Sequence, residues 1–381
     1  MSLGNLADGP LTRFLAAPAI AALSQALGLL QYVLLWLSSG FGYYSDSLFL
    51  MQAWVLVAGQ IVLQGVAFPA WLRSRGQSSV GRELTVFAVL AATCLVTAVG
   101  WWRICTIPSG YDRAPVIGIV VVLLVSAPLA TIGFAIALRA AARGSPILLA
   151  AFTLPTSVLA CLVLPWFLND ESKKSLGLAI CMLCGNVCFV AVAAWVEKVK
   201  ALSGHSRLGM SRLFNSDSAW FAARSGAGYS AGVLLQTVGS VLPASALSIL
   251  SFSSKFVAGV VAVGVNSVLP RLVHRDRDDT SGAFTLVRCV VVVCVVAVSG
   301  FCVVSSTFLS VESLNVAFIP IVVGWAAAAS INAAVQRVAL KSLPASASKL
   351  TILACVIVTA AAILLAVGGF MTVLVLASLF M

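Results

Sequence analysis

Apolar runs of about twenty residues recur along the whole chain, separated by short polar loops. A helix of that length matches the hydrocarbon thickness of a bilayer, and a helix satisfies its own backbone hydrogen bonds there. We therefore predict an all-α polytopic membrane protein with about twelve transmembrane helices. The charged fraction is 9%, against about 25% in soluble domains. The predicted spans are 17–39, 47–71, 84–103, 116–138, 147–167, 176–196, 219–241, 245–269, 285–307, 314–336, 350–367 and 369–381.

These spans form two sets of six on either side of the longest polar connection, residues 197–218. We predict an N-terminal six-helix lobe over 1–196, a cytoplasmic linker over 197–218 and a C-terminal lobe over 219–381, with a short or truncated last helix. Two stretches support an internal repeat: 57–73 reads VAGQIVLQGVAFPAWLR and 257–275 reads VAGVVAVGVNSVLPRLVHR. Paired halves are the usual plan of secondary transporters. Pro128 and Pro155 are candidate hinges within spans.

Basic residues alternate in number from loop to loop. Sixteen lie at the N-terminus or after even-numbered spans, and four (Arg103, Arg113, Lys173 and Lys174) follow odd-numbered spans. Since cytoplasmic loops are enriched in Lys and Arg, both termini are predicted to be cytoplasmic, in the cytoplasmic (inner) membrane. The pattern also accounts for the net charge of +11, so no nucleic-acid partner is expected. Membrane lipids are the expected surroundings, and the linker offers basic residues to their anionic headgroups.

Motifs for catalysis are missing from the sequence. The two histidines, His205 and His274, lie in predicted loops, and no Walker loop, G-x-S-x-G or H-E-x-x-H occurs. We expect no enzyme activity, no cofactor and no metal site. Cys181, Cys184 and Cys188 share a helical face, but no His or carboxylate joins them, so packing explains them.

A small polar set lies at predicted membrane depth. Its most costly member is Lys255, near the middle of the eighth span, because a lysine there costs about 2.5–3.5 kcal/mol on insertion scales. Such a side chain is expected to face other helices or a wet cavity. The same set includes Arg224 at the start of the seventh span. The remaining members, in or beside the first two spans, are Gln25, Gln31, Asp46, Gln60 and Gln64.

The residues around this set resemble the lipid II flippase family (MurJ, also called MviN). Gln64-Gly65 falls where that family has an E-G pair, and Lys255 stands at its basic position in the stretch 251–270. Three further segments are similar to the family's S-R-x-L-G-x-x-R-D, D-A-F and R-x-F-Y-A motifs: 24–32, 45–49 and 337–341.

The resemblance implies two six-helix lobes around a central cavity, the fold of the multidrug/oligosaccharidyl-lipid/polysaccharide exporters. It also implies a function: flipping an undecaprenyl-diphosphate-linked glycan, such as lipid II or a related cell-envelope precursor, across the membrane. Lys255 and Arg224 would attract the diphosphate, and the four glutamines with Asp46 would line the path. Cell-wall synthesis enzymes are then possible partners.

The sequence departs from that family in the first two spans, where glutamines replace charged residues of the motifs at Gln25, Gln31 and Gln64. Hydrogen-bonding capacity is kept while formal charge is lost. Two alternatives therefore stay open. One is a drug or small-solute antiporter of the same fold, which needs a buried carboxylate such as Asp46. The other is a non-transporting membrane scaffold for glycan assembly.

Overall fold

The structure is a computed structural model of the full chain. It describes residues 10–36, 40–68, 71, 80–143, 145–167 and 170–197, and the single positions 233, 236, 237, 240, 247, 248, 251, 252 and 255.

Helices make up nearly all of this described part. The second helix continues without a break into a π-helical segment, Gly59–Ala67, and the sixth ends in a 3-10 turn, Leu164–Phe167. The helices are α1 Pro10–Trp36, α2 Tyr43–Ala58, α3 Val80–Cys105, α4 Arg113–Ala142, α5 Ile147–Ala150, α6 Leu154–Val163 and α7 Glu171–Val196.

Six segments of the described residues are long and apolar enough to cross a membrane. They fall on the first six predicted spans, so the all-α membrane class is confirmed there. The last six predicted spans lie mostly outside the described residues. The fifth span differs from expectation, because it is interrupted at 151–153. Pro155 therefore stands in the first turn of α6 and not in the interior of a helix. Proline favours that position, where its missing N–H costs nothing.

Polar caps fix where two of the long helices begin. The Asp112 carboxylate accepts from Ala114 N at the start of α4, and that of Asp170 accepts from Ser172 N and Lys173 N at the start of α7. Such caps satisfy donors that the first helical turn leaves unpaired. Pro128 lies inside α4, where it removes one backbone donor without ending the helix.

Close approach between helices depends on small residues facing large ones. Gly133 of α4 lies against Phe189 of α7, and Gly185 of α7 lies against the backbone of Thr156 in α6. A side chain at Gly185 would overlap that backbone, with an added Cβ only 2.6 Å from Thr156 N. The helices therefore pack at distances that favour dispersion contacts, the main attraction between helices in lipid.

The chain divides into two compact units, Met1–Ser251 and Phe252–Met381. The first unit holds α1 to α7 and, in addition, described residues from 233 to 251 that contact those helices. The predicted lobe limits at 196 and 219 stay a prediction.

Candidate functional site

Buried polar side chains gather at the end of the helices where α2 and α7 begin and α3 stops. Two tryptophans at that end, Trp101 and Trp166, are 70% and 83% exposed, as expected where a helix meets the membrane–water interface. The basic-residue pattern predicts that this end faces outward. We call the following group the end cluster: Tyr43, Ser45, Asp46, Ser47, Arg103, Glu171, Ser240 and Ser248.

Asp46 is the acidic centre of the end cluster and is only 3% exposed. Its Oδ1 accepts a hydrogen bond from the backbone N–H of Ser248 at 2.8 Å and another from the Ser248 hydroxyl. A carboxylate removed from water needs such donors to stay charged. Asp46 and Ser248 are two hundred and two residues apart in the chain, so this contact joins distant segments.

The Ser45 hydroxyl extends the network to α7. It lies 3.1 Å from Ser248 Oγ and 3.1 Å from Glu171 Oε1. The same Glu171 oxygen accepts from Ser45 N at 2.9 Å. Because the N-terminus of a helix carries unpaired donors and a partial positive charge, Glu171 acts as a cap for α2 supplied by another helix.

Arg103, at the end of α3, is the basic centre of the end cluster and is 4% exposed. Its Nε donates to Ser47 Oγ at 2.9 Å, and one terminal nitrogen donates to the Ser240 carbonyl at 3.3 Å. The guanidinium carbon lies 4.0 Å from the centre of the Tyr43 ring, a favourable cation–π arrangement. Two of the three guanidinium nitrogens of this buried arginine thus have hydrogen-bond partners among the described residues.

Four residue pairs join Thr237, Ser240 and Ser248 to α2 and α3 by hydrogen bonds. Besides those of Ser240 and Ser248, Trp54 of α2 donates its indole N–H to Thr237 Oγ1 at 3.3 Å. Three of the four pairs are made by α2 and the fourth by α3. Thr237, Ser240 and Ser248 belong to the predicted C-terminal lobe, and their partners on α2 and α3 belong to the predicted N-terminal lobe.

The glutamines of the first span are placed differently from each other. Gln31 is 4% exposed, whereas Gln25 is half-buried. The Oε1 atoms of both are buried, and none of the described residues donates a hydrogen bond to either. Unpaired buried amide oxygens are costly and are commonly paired with water. The predicted role of both residues in lining a polar path stays a prediction.

The other two glutamines lie on the π-helical segment. Gln60 and Gln64 are half-buried, while Leu63 and Ala67 of the same segment are fully buried. Those two apolar residues join a core cluster with Trp71, Phe134 and Leu138. These two members of the predicted polar set are therefore more exposed than the core residues of the same segment.

Lys255 and Arg224 are the two predicted cations of the substrate path. Lys255 is helical and half-buried, and it belongs to the second compact unit. Arg224 lies outside the described residues. Their predicted binding of a diphosphate stays a prediction.

Sequence reasoning missed most of the end cluster. Arg103 was assigned to an external loop, and Glu171, Ser240 and Ser248 were not singled out. One signal was available, since Ser45-Asp46-Ser47 is a polar triplet at the start of an apolar span. Its partners lie from 56 to 203 residues away, which no local pattern reveals. Among the described residues, no group of three or more His, Cys, Asp or Glu is arranged to hold a metal ion.

Comparison with solved structures identifies the fold. The chain is similar to a MATE protein solved in complex with MaL6, with a TM-score of 0.56 and 12% identity over 99% of this chain and 100% of that one. A second solved chain, described as protein A, gives a TM-score of 0.55 and 12% identity over 96% and 94% of the two chains. The chain therefore has a fold similar to that of this MATE protein. No protein-family profile and no curated protein sequence matches the chain.

Proposed function

We propose that the chain is a flippase-like transporter that moves an undecaprenyl-diphosphate-linked glycan across the cytoplasmic membrane. The exporter-type fold supports a carrier, and the motif resemblance supports a lipid-linked glycan. The observation that carries the proposal is the buried end cluster, in which Asp46 bonds to Ser248 and Arg103 bonds to Ser240. A carrier that opens to one side at a time needs contacts of this kind at its closed side.

In the proposed mechanism, the end cluster closes the outer side while the substrate enters from the inner one. A diphosphate cannot cross hydrocarbon unaided, because transfer of a charge out of water is prohibitive without partners. Lys255 and Arg224 supply positive charge, and Gln25, Gln31, Gln60 and Gln64 supply hydrogen bonds along the path. Outward opening then requires loss of the Asp46–Ser248 and Arg103–Ser240 contacts.

The test is a flipping assay in proteoliposomes with a fluorescent undecaprenyl-diphosphate sugar. We expect the wild type to move the lipid and Lys255→Ala to lower the rate by about ten- to a hundred-fold, because a hydrogen bond to a charged group contributes about 1.5–3 kcal/mol. The matched control is Lys173→Ala, since Lys173 is an exposed lysine bound only at the surface, 3.1 Å from Asp170. Full activity of Lys255→Ala, or an equal loss in both variants, would contradict the assigned role.

A second candidate, a proton-coupled antiporter for drugs or small solutes, is favoured by one specific observation. Such a carrier needs a buried carboxylate that can take up a proton, and Asp46 is buried rather than exposed at the edge of its helix. Release of protons during transport of a cationic dye, abolished by Asp46→Asn, would support this candidate over the flippase. An absence of any transport, with glycan-assembly enzymes recovered with the protein, would support the scaffold alternative instead.

A further inference from the structure

The π-helical segment Gly59–Ala67 is the least regular part of a helix that is otherwise α-helical and well buried. The amide of Phe68 donates to the carbonyl of Leu63, five residues back, instead of the usual four. A π-helix is rare, is usually confined to a single turn and often coincides with functional positions. Nine consecutive residues in this state are therefore a feature that calls for an explanation.

The larger number of residues per turn in the π-helix determines the direction of the two glutamine side chains, Gln60 and Gln64. An α-helix advances 100° per residue, whereas a π-helix, with about 4.4 residues per turn, advances about 82°. In the π form, the mean direction of Gln60 and Gln64 lies about 115° from that of Leu63 and Ala67, and in an α-helix the same two pairs would lie only about 60° apart. The π form thus keeps the amides away from the core while Leu63 and Ala67 stay fully buried.

The segment lies beside a weak point of a neighbouring helix, α4. Gly59, where the α-helix passes into the π form, faces Thr131 and Phe134 of α4. That part of α4 follows Pro128, whose ring leaves a backbone carbonyl one turn earlier without its usual donor. The Thr131 hydroxyl also donates to the Ala127 carbonyl, a side-chain bond that tends to bend helices. Two neighbouring helices are therefore weakened at the same level.

The ends of the helix, in contrast, are fixed. At one end, Asp46 and Ser45 bond to Ser248 and Glu171. At the other end, Ala67 and Trp71 are buried in a core cluster with Ala88 and Leu138. Because both ends are held, a residue that returns to the α form must be offset by another that leaves it, so that a rotation is confined to the residues between the two ends.

We propose that residues 59–67 are a register switch that turns Gln60 and Gln64 toward or away from the substrate path. In the π form the two amides are directed away from the core. Each residue that returns to the α form turns the chain by about 18° relative to its present position, which brings the amides toward the core face. This inference rests on the proposed function for the use of the two glutamines, but the switch itself is a property of the backbone.

The test is amide hydrogen exchange, followed by mass spectrometry, on the full chain in nanodiscs without substrate. A segment that opens and rewinds exchanges faster than a fixed helix, so peptides from 60–68 should exchange at least about ten-fold faster than those from 48–55 of the same helix. Gly59→Ala should slow exchange over 60–68 by roughly five-fold, as expected from the helix propensities of the two residues. An added Cβ at Gly59 has its nearest neighbour at 3.6 Å, an ordinary contact, so the variant fits.

The matched control is Gly177→Ala in α7, where an added Cβ also meets its nearest neighbour, Phe167, at 3.6 Å. It should leave exchange over 60–68 unchanged. Equal exchange in 60–68 and 48–55 of the wild type, or no effect of Gly59→Ala, would overturn the switch. Because this readout needs no substrate, loss of flipping in the proteoliposome assay with the exchange pattern intact would overturn the proposed function and leave the switch standing.

Discussion

Asp46 and Arg103 are opposite charges enclosed at one end of a membrane helix bundle, and their partners are mostly serines. Serine hydroxyls donate and accept at short range without adding charge. Asp46 accepts from the hydroxyl and the backbone N–H of Ser248, and Arg103 donates to the hydroxyl of Ser47 and the backbone carbonyl of Ser240. Contacts of this strength hold two segments together and can still be exchanged for water when the segments separate.

Removal of one hydroxyl from the end cluster tests how much its hydrogen bonds contribute to the free energy of unfolding. Ser248→Ala takes away one donor from the Asp46 carboxylate and leaves the backbone N–H in place, so we expect a loss of about 1–3 kcal/mol in the free energy of unfolding. The measurement is denaturant unfolding in mixed micelles, followed by tryptophan fluorescence. Thr97→Ala is the control, because the Thr97 hydroxyl is exposed and bonds only within its own helix. Equal stability of the two variants would show that Ser248 contributes nothing to closure.

The stability of α7 depends on pH through Asp170, and the hydrogen bonds to its carboxylate set the direction of this dependence. Bonds from Ser172 and Lys173 lower the pKa of this carboxyl from 3.8 to about 2. A pKa lowered in the folded state means that the cap stabilises α7 fully above about pH 4, and that this contribution is lost as the pH falls toward 2. Helix content measured by circular dichroism should fall over that window in the wild type. Asp170→Asn, which caps without titrating, should flatten this part of the curve, and an identical curve for both proteins would refute the assignment.

At the scale of the elements, the cap that α7 provides for α2 depends on a glycine. A Cβ at Gly42 would lie 2.5 Å from Glu171 Oε2. The carboxylate would have to move and would lose its bond to Ser45 N, so Gly42→Ala should lower the free energy of unfolding by about 0.5–2 kcal/mol, the usual worth of a cap. The comparison is with Gly177→Ala, which adds a methyl group without such a clash. If both variants unfold alike, Glu171 is not a cap that α2 needs.

The sequence predicted the position of the first six spans well, because hydrocarbon thickness imposes the same length on each of them. It did not predict the winding within them. Hydropathy is the same for an α-helical and a π-helical turn, so the segment 59–67 left no trace in the apolar pattern. The interruption of the fifth span at 151–153 could not be predicted from hydropathy either, since those residues are no more polar than their neighbours.

The candidate site was predicted only in part for a related reason. The free-energy cost of placing a polar side chain in the membrane identified Lys255, Asp46 and the glutamines individually. It gave no information on which of these residues are in contact. The pairing of Asp46 with Ser248 and of Arg103 with Ser240 depends on how distant segments fold together, and a basic residue near the end of a span is indistinguishable by composition from one in a loop.

For the whole molecule, the end cluster fits the proposed carrier in a state closed at one end. The likeness to the MATE structure extends over 99% of the chain. Described contacts join Thr237, Ser240 and Ser248 to α2 and α3 at the predicted outer end. The central claim is that these contacts must break during each transport cycle.

The most direct measurement is flipping of an undecaprenyl-diphosphate sugar by the double variant Asp46→Cys/Ser248→Cys in proteoliposomes. The two side chains are in hydrogen-bond contact, so oxidation should join them and hold the end closed. We predict that oxidation stops flipping, that reduction restores it to the level of the unoxidised double variant, and that each single cysteine variant is insensitive to the oxidant. Continued flipping with the disulfide formed would contradict the account.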